Sequence, residues 1–253
     1  MTTTAPTPTP PRTPQLSRPV AMRLAATEYQ RVIDLLSSLP PADWSKPTDC
    51  PNWDVRAMAT HLLGMAEMAA SIREQSRQVK AATKRGGVFL DALTGLQVEQ
   101  RRHLTPDQIT VRLKKVAPKA VRGRRLAPGM VRRRTMRQPQ LVGAREEMWT
   151  IGFLLDVILT RDPWMHRIDI TRATGAAHLL TAEHDGVLIA DIVTEWAERH
   201  GQPFTLHLTG PAGGRWTVGT GGPQLELDVV DFCRALSGRA HPTDGLLSTE
   251  VPF

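Results

Sequence analysis

The period of hydrophobic positions changes twice along the chain, and those changes mark its elements. From Val20 to Leu39, "VAMRLAATEYQRVIDLLSSL" repeats apolar residues at steps of three and four, one face of an amphipathic helix. Pro40, Pro41, Pro47 and Pro51 then keep "PPADWSKPTDCPNW" extended and turning. Asn52 is placed to cap a second helix, "WDVRAMATHLLGMAEMAASIREQSRQVK", which ends before Gly86 and Gly87. A third helix comes next in "VFLDALTGLQVEQRRHL", and Thr105, with Pro106 at the first helical position, starts a further helical turn. Pro118, Gly123, Pro128 and Gly129 predict short helical pieces and loops after it. "VGAREEMWTIGFLLDVILTRD" predicts a long buried helix, with Glu146 and Glu147 near its start, running up to Asp162; Gly175 ends the segment beyond it.

Past Leu180 comes one more helix, "TAEHDGVLIADIVTEWAERHG", capped by Thr181 and closed by Gly201. The period then drops to two. "PFTLHLTG" and "GRWTVGTG" alternate on either side of a Gly-rich turn and predict a hairpin, with "PQLELD" as a third strand. Helical spacing returns in "VVDFCRALSGR", for which Asp228 is the candidate N-cap. The expected architecture is mainly α: a disordered arm over 1–19, a four-helix bundle over 20–178 and a small α+β unit over 179–253. The arm is expected from repeated Thr-Pro, which cannot build a packed core.

Charge adds one feature. The net charge of +7 comes from the span Arg112–Arg145, which holds twelve Lys or Arg and no Asp or Glu. The remaining chain carries 20 basic and 25 acidic residues, a net −5. Residues 112–137 therefore suggest a basic insertion on the bundle. They lack zinc-finger spacing, a recognition-helix pattern and interleaved aromatics, so no specific nucleic acid partner is expected. No apolar run reaches the length of a membrane span. Two well-separated cysteines, Cys50 and Cys233, form neither a disulfide framework nor a CxxC site and suit a reducing cytoplasm. Both are expected to be packing residues: Cys50 has no cation beside it in sequence, and Cys233 falls on the apolar face of the last helix.

The candidate chemistry lies on two helices. His61 shares a stripe with Met58, Met65, Met68 and Ile72, so it points into the bundle. In "DPWMHRIDI", Asp162, His166 and Asp169 fall on one helical face with Leu159 and Ile170. Two imidazoles and a carboxylate make a three-ligand metal site with an open position, and Asp169 is placed to orient an imidazole from behind. The competing reading has Asp162, followed by Pro163, as the N-cap of a new helix.

"WSKPTDCPNWDVRAMATHLLG" and "RDPWMHRIDITRATG" resemble the two metal motifs of the maleylpyruvate isomerase family of mycothiol-dependent enzymes, a branch of the DinB-like four-helix bundles. The C-terminal unit resembles the sterol-carrier-like domain that often follows the bundle. The resemblance implies a divalent ion, Zn²⁺ before Ni²⁺ and other divalents, on His61, Asp162 and His166; the isomerase members have Glu where Asp162 stands. It implies mycothiol as a low-molecular-weight thiol cosubstrate and a small electrophilic substrate, with an isomerase or thiol S-transferase outcome. A non-catalytic metal-binding bundle serving as a regulatory module is the alternative, and a merely buried polar cluster is a third reading. A monomer or homodimer is expected.

Overall fold

The structure is a computed structural model and describes residues 10–242 and 244–253. Helix α1 (Arg18–Ser38) matches its apolar spacing and buries Ala21, Leu24, Ala25, Val32 and Leu36. A 3₁₀ turn over Pro41–Ser45 seats Trp44 in the core. The second helix is two. Helix α2 (Val55–Ala70) is capped by Asp54, whose carboxylate accepts from the Ala57 N–H, and α3 (Ile72–Arg85) restarts from Ser71. Asn52 is no cap: it sits at φ 70°, after Pro51, in a turn closed by Trp53 N–H to Cys50 O. Proline followed by a left-handed residue is the type II pattern. The break at Ser71 also removes Ile72 from the His61 stripe and leaves it 85% exposed.

Helix α4 (Phe89–Arg101) packs with α3 on the outside of α2. The largest departure from expectation is α5 (Pro106–Leu126), one continuous helix where short pieces and an insertion were expected. Its start is a full capping box between Thr105 and Gln108. Ile109, Leu113, Ala117 and Ala120 recur on one face and are buried against α1 and α2, so α5 is a wall of the bundle. Pro118 is tolerated on its exposed side, and Gly123 lets the helix cross close to α2, since a Cβ there would lie 2.3 Å from Ala69 O. The sequence hid this helix because cations fill its outer face while its inner face is partly alanine.

After a four-residue turn of helix, α6 (Gly129–Arg132), the expected long helix begins nine residues late. Gln140–Val142 (β1) and Arg145–Glu147 (β2) form a two-stranded hairpin instead, with Glu146 and Glu147 in it. Helical backbone then runs unbroken from α7 (Ile151–Phe153) through a π-turn at Leu154–Ile158 into α8 (Leu159–Thr174). Asp162 is therefore inside a helix, and the N-cap reading falls. Pro163 cannot bond the Leu159 carbonyl; the buried Arg124 of α5 donates to it at 2.9 Å, and also to Leu155 O and Thr160 Oγ1. Gly175 closes α8 in the left-handed region.

Helices α1, α2, α5 and α8 make the four-helix bundle. The C-terminal unit comprises a π-turn at Ala182–Gly186, α9 (Val187–His200), β3 (Phe204–Thr209), β4 (Gly214–Val218), β5 (Gln224–Asp228) and α10 (Val229–Leu236). The expected hairpin is β3–β4, and β5 adds to β3 in parallel, giving the order β4-β3-β5. Asp228 caps α10 as expected, while the Thr181 hydroxyl accepts from Arg31 rather than capping. The unit is not independent: Leu24, Trp164, Met165 and Ile168 of the bundle share its core with Ile192, Trp196 and Phe232. Helix α8 thus faces core on nearly every side, and between Leu159 and Thr171 only Asp162 is less than fully buried. Part of the expected arm is also ordered. Arg12 pairs with Trp149 and Leu16 packs on the C-terminal core, whereas the expectation for residues 1–9 lies outside the described residues.

Candidate metal centre

His61 projects from the middle of α2, and Asp162 and His166 from successive turns of α8. The three meet at one point. His61 Nε2 lies 3.3 Å and His166 Nε2 3.4 Å from the same oxygen, Asp162 Oδ1, with the rings edge to face at 5.3 Å. The indole of Trp53 covers both imidazoles at 5.0 and 5.9 Å, placed there by the Pro51–Asn52 turn. This gives the "CPNW" motif a physical role beyond stopping a helix.

The far nitrogen of each ring decides what the near one can do. Gly64 O and the Glu74 carboxylate only accept, so Gln78 turns its amide nitrogen toward them. Its oxygen then accepts from Gln97 Nε2 at 2.8 Å, and Gln97 Oε1 accepts from His61 Nδ1 at 2.8 Å. The proton of neutral His61 is thereby fixed on Nδ1, leaving a lone pair on Nε2. Gln97 and Gln78 are fully buried, and Gly64 makes the room: a Cβ there would lie 2.7 Å from the Gln97 side chain. For His166 the acceptor is Asp169 Oδ2, 3.1 Å from Nδ1. Asp169 is fully buried and is neutralised by Arg239, which reaches across from the C-terminal unit at 2.9–3.1 Å.

With both Nδ1 atoms turned to acceptors, His61 Nε2, His166 Nε2 and Asp162 Oδ1 face one another. Asp162 Oδ2 is buried, with no hydrogen-bond partner among the described residues. Burial disfavours the charged form of Asp162, but the adjoining His61 and His166 hold its carboxyl below the usual carboxylate range. Burial likewise opposes charge on His166, yet the Asp162 carboxylate, and hydrogen bonds that the imidazole donates to Asp162 and Asp169, hold it well above its ordinary value. The site draws in positive charge, as a proton or as a cation.

Sequence reasoning missed three groups here. Gln78 on α3 and Gln97 on α4 lie outside both motifs and gave no signal. Arg239 sits 70 residues beyond Asp169. Its Nη2 is 3.5 Å from Cys50 Sγ, so Cys50 does have a cation beside it in space, and it donates to Asp169 Oδ2 at 3.6 Å. Cys233 is buried in the core as expected, its thiol pushed up by burial.

No helix among the described residues is long and apolar enough to cross a membrane. The family model of the mycothiol maleylpyruvate isomerase N-terminal domain matches residues 25–171, which span the first motif and the second as far as Thr171. Crystal structures of a mycothiol-dependent maleylpyruvate isomerase and of a single-residue variant of it share the fold, each with a TM-score of 0.56 over 89% of this chain and 90% of theirs at 14% identity. No curated protein matches the chain in sequence. With more than half of its length inside that family model, the chain belongs to the mycothiol maleylpyruvate isomerase family of enzymes.

Proposed function

We propose that the protein is a metal-dependent enzyme that uses mycothiol to transform a small electrophilic substrate, isomerisation being the favoured outcome. One observation carries the metal: two imidazole Nε2 lone pairs and a carboxylate oxygen converge within 3.4 Å while both Nδ1 positions are occupied by fixed acceptors. Without a cation that arrangement is repulsive unless an imidazole is protonated. His61, Asp162 and His166 would hold a divalent ion, with zinc the expected one, and leave it an open position. An ion bound there would supply a Lewis acid that lowers the pKa of a thiol, so that thiolate forms near neutral pH.

The chain's own residues do the rest. Gln97 and Asp169 lock the imidazoles in their ligating tautomers, Trp53 excludes water from above them, and Arg239 neutralises Asp169. In an isomerase of this family the thiol adds across an activated double bond of an unsaturated dioxo acid. The resulting single bond rotates, and the same thiol leaves as the double bond re-forms. The substrate class and thiol are taken from family membership. They are tested by following isomerisation of such an acid with and without mycothiol, on protein purified without an affinity tag and assayed for metal. About one ion per chain and strict thiol dependence are expected; metal-free protein or thiol-independent turnover would overturn the reading.

A further inference from the structure

The basic segment finds no use in that chemistry, and its placement is informative. Arg124 and Arg132 are buried and serve the fold, so ten of its twelve cations are exposed. None of the ten forms an ion pair among the described residues. Six of them, Arg112, Lys114, Lys115, Lys119, Arg122 and Arg125, line the solvent face of α5, and the other four are exposed arginines between residues 133 and 145. An ordinary solvated helix face mixes both signs and gains from i,i+4 pairs. Here Lys115 and Lys119 stand one turn apart with like charge, which costs stability in isolation. The rest of the chain is net −5, so the basic excess belongs to this segment.

The same face carries apolar residues in the open. Val111 is 64% exposed and Leu126 62%; at 100° per residue both project among the cations, and Met130, 66% exposed, follows just beyond. Because α5 is anchored along its whole inner face, the side chains from Val111 to Leu126 form a ridge roughly 22 Å long. A phosphate-bearing duplex would satisfy the cations but not the apolar groups. Between Val111 and Leu126 there is also no Asn or Gln to read adenine and no aromatic residue to stack on a base, which leaves Arg and Lys alone for base contact. An anionic bilayer satisfies both, with headgroups for Lys and Arg and the acyl boundary for Val, Leu and Met.

The geometry points to the outer face of α5 as a peripheral docking surface for an anionic lipid membrane. The test is sedimentation of the full chain with vesicles of neutral phosphatidylcholine, or of phosphatidylcholine with about 30% phosphatidylglycerol, at roughly 0.05 M and 0.3 M salt. Binding is expected to the anionic vesicles alone, and to fall steeply at the higher salt. Joint Lys114→Gln, Lys115→Gln, Lys119→Gln and Arg122→Gln should reduce it at least about tenfold. Val111→Ser with Leu126→Ser should reduce it about tenfold while leaving any binding of duplex DNA, measured in parallel, unchanged. All six positions are exposed, so circular dichroism of the variants should match that of the parent. No binding to anionic vesicles at low salt would overturn the proposal, as would binding indifferent to the glutamine substitutions. Duplex DNA bound more tightly than vesicles, with the serine substitutions without effect on vesicle binding, would overturn it in favour of nucleic acid.

Discussion

Two clusters of carboxylate and imidazole lie on different faces of α8, and both have the residue types and spacing of a metal site. One is His61, Asp162 and His166; the other is Glu28, His184 and Asp185. They differ in what else touches them. In the second, Glu28 accepts from Arg167 and His184, while Asp185 accepts from Arg167, Arg31, Trp164 Nε1 and the Thr181 N–H, so every carboxylate oxygen has a donor. In the first, among the described residues, no arginine pairs with Asp162 and its Oδ2 has no hydrogen-bond partner. Proximity of ligand types is therefore a weak criterion. A cation site needs lone pairs that the protein has left unspent, and the guanidinium of Arg167 is already the cation of the second cluster.

The comparison is broken most directly at the histidines. His61→Ala or His166→Ala should abolish retention of the divalent ion, read by elemental analysis of tag-free protein. His184→Ala should leave ion content unchanged and cost only stability. Loss of the ion in His184→Ala, with retention in either of the others, would reverse the assignment.

Arg167 tests the other half. Arg167→Met leaves Glu28 and Asp185 as buried carboxylates short of a cation, and removing one partner of such a network costs about 3–5 kcal/mol, measurable by urea unfolding. Protein folded in the absence of urea should still bind its ion. A cost below about 1 kcal/mol would mean that the second cluster is wet and weakly coupled.

How far these clusters were legible in the sequence depends on where their partners lie. The candidate triad was legible because an i,i+4 pair on α8 and a motif on α2 are local patterns, and the stretches that resemble the family's motifs sit on them. The second cluster joins residues 28, 167 and 184–185, and nothing in their separate surroundings announces that they meet. Helix α5 was missed for a similar reason. Pro118, Gly123 and a run of cations are breaker signals taken alone, and only burial of Ile109, Leu113, Ala117 and Ala120 against α1 and α2 overrides them. The N-cap reading of Asp162 failed because Arg124, from another helix, satisfies the carbonyl that Pro163 strands.

Acid should separate the clusters by the order in which they fail. Against the cost of burial, Arg167 and His184 hold the Glu28 carboxyl low, and the Thr181 N–H, Arg167 and Arg31 hold Asp185 low. A carboxyl whose folded value lies below its unfolded one stabilises the fold above the unfolded value of about 4, and that stability drains away as pH falls toward the folded value. His166 is shifted the opposite way: without an ion its imidazole takes a proton well above the ordinary range. Protons therefore compete with the ion from that higher pH downward, and apparent affinity should weaken with each further unit. Metal release, followed with a chromogenic chelator, should precede loss of the helical circular dichroism signal. Simultaneous loss would mean that the ion, and not the Glu28 network, carries the acid stability.

The smallest effect is expected from Gln97, and it is the most specific test of why the first cluster is competent. Gln97→Leu keeps the volume near His61 while removing the acceptor that fixes its proton on Nδ1. The imidazole is then free to carry its proton on Nε2, the nitrogen that faces Asp162. Losing such an orienting partner typically costs 10–100-fold in metal affinity, so about tenfold or somewhat more is expected by competition with a chelator. Gln97→Glu, which retains an acceptor oxygen, should recover most of the loss. A merely structural role predicts a different pattern, with both variants destabilised and the affinity of the folded fraction unchanged. The readout that distinguishes the two is the nitrogen NMR shift of His61 in the ion-free protein. It should report Nδ1–H in the parent and in Gln97→Glu, and a tautomer mixture in Gln97→Leu.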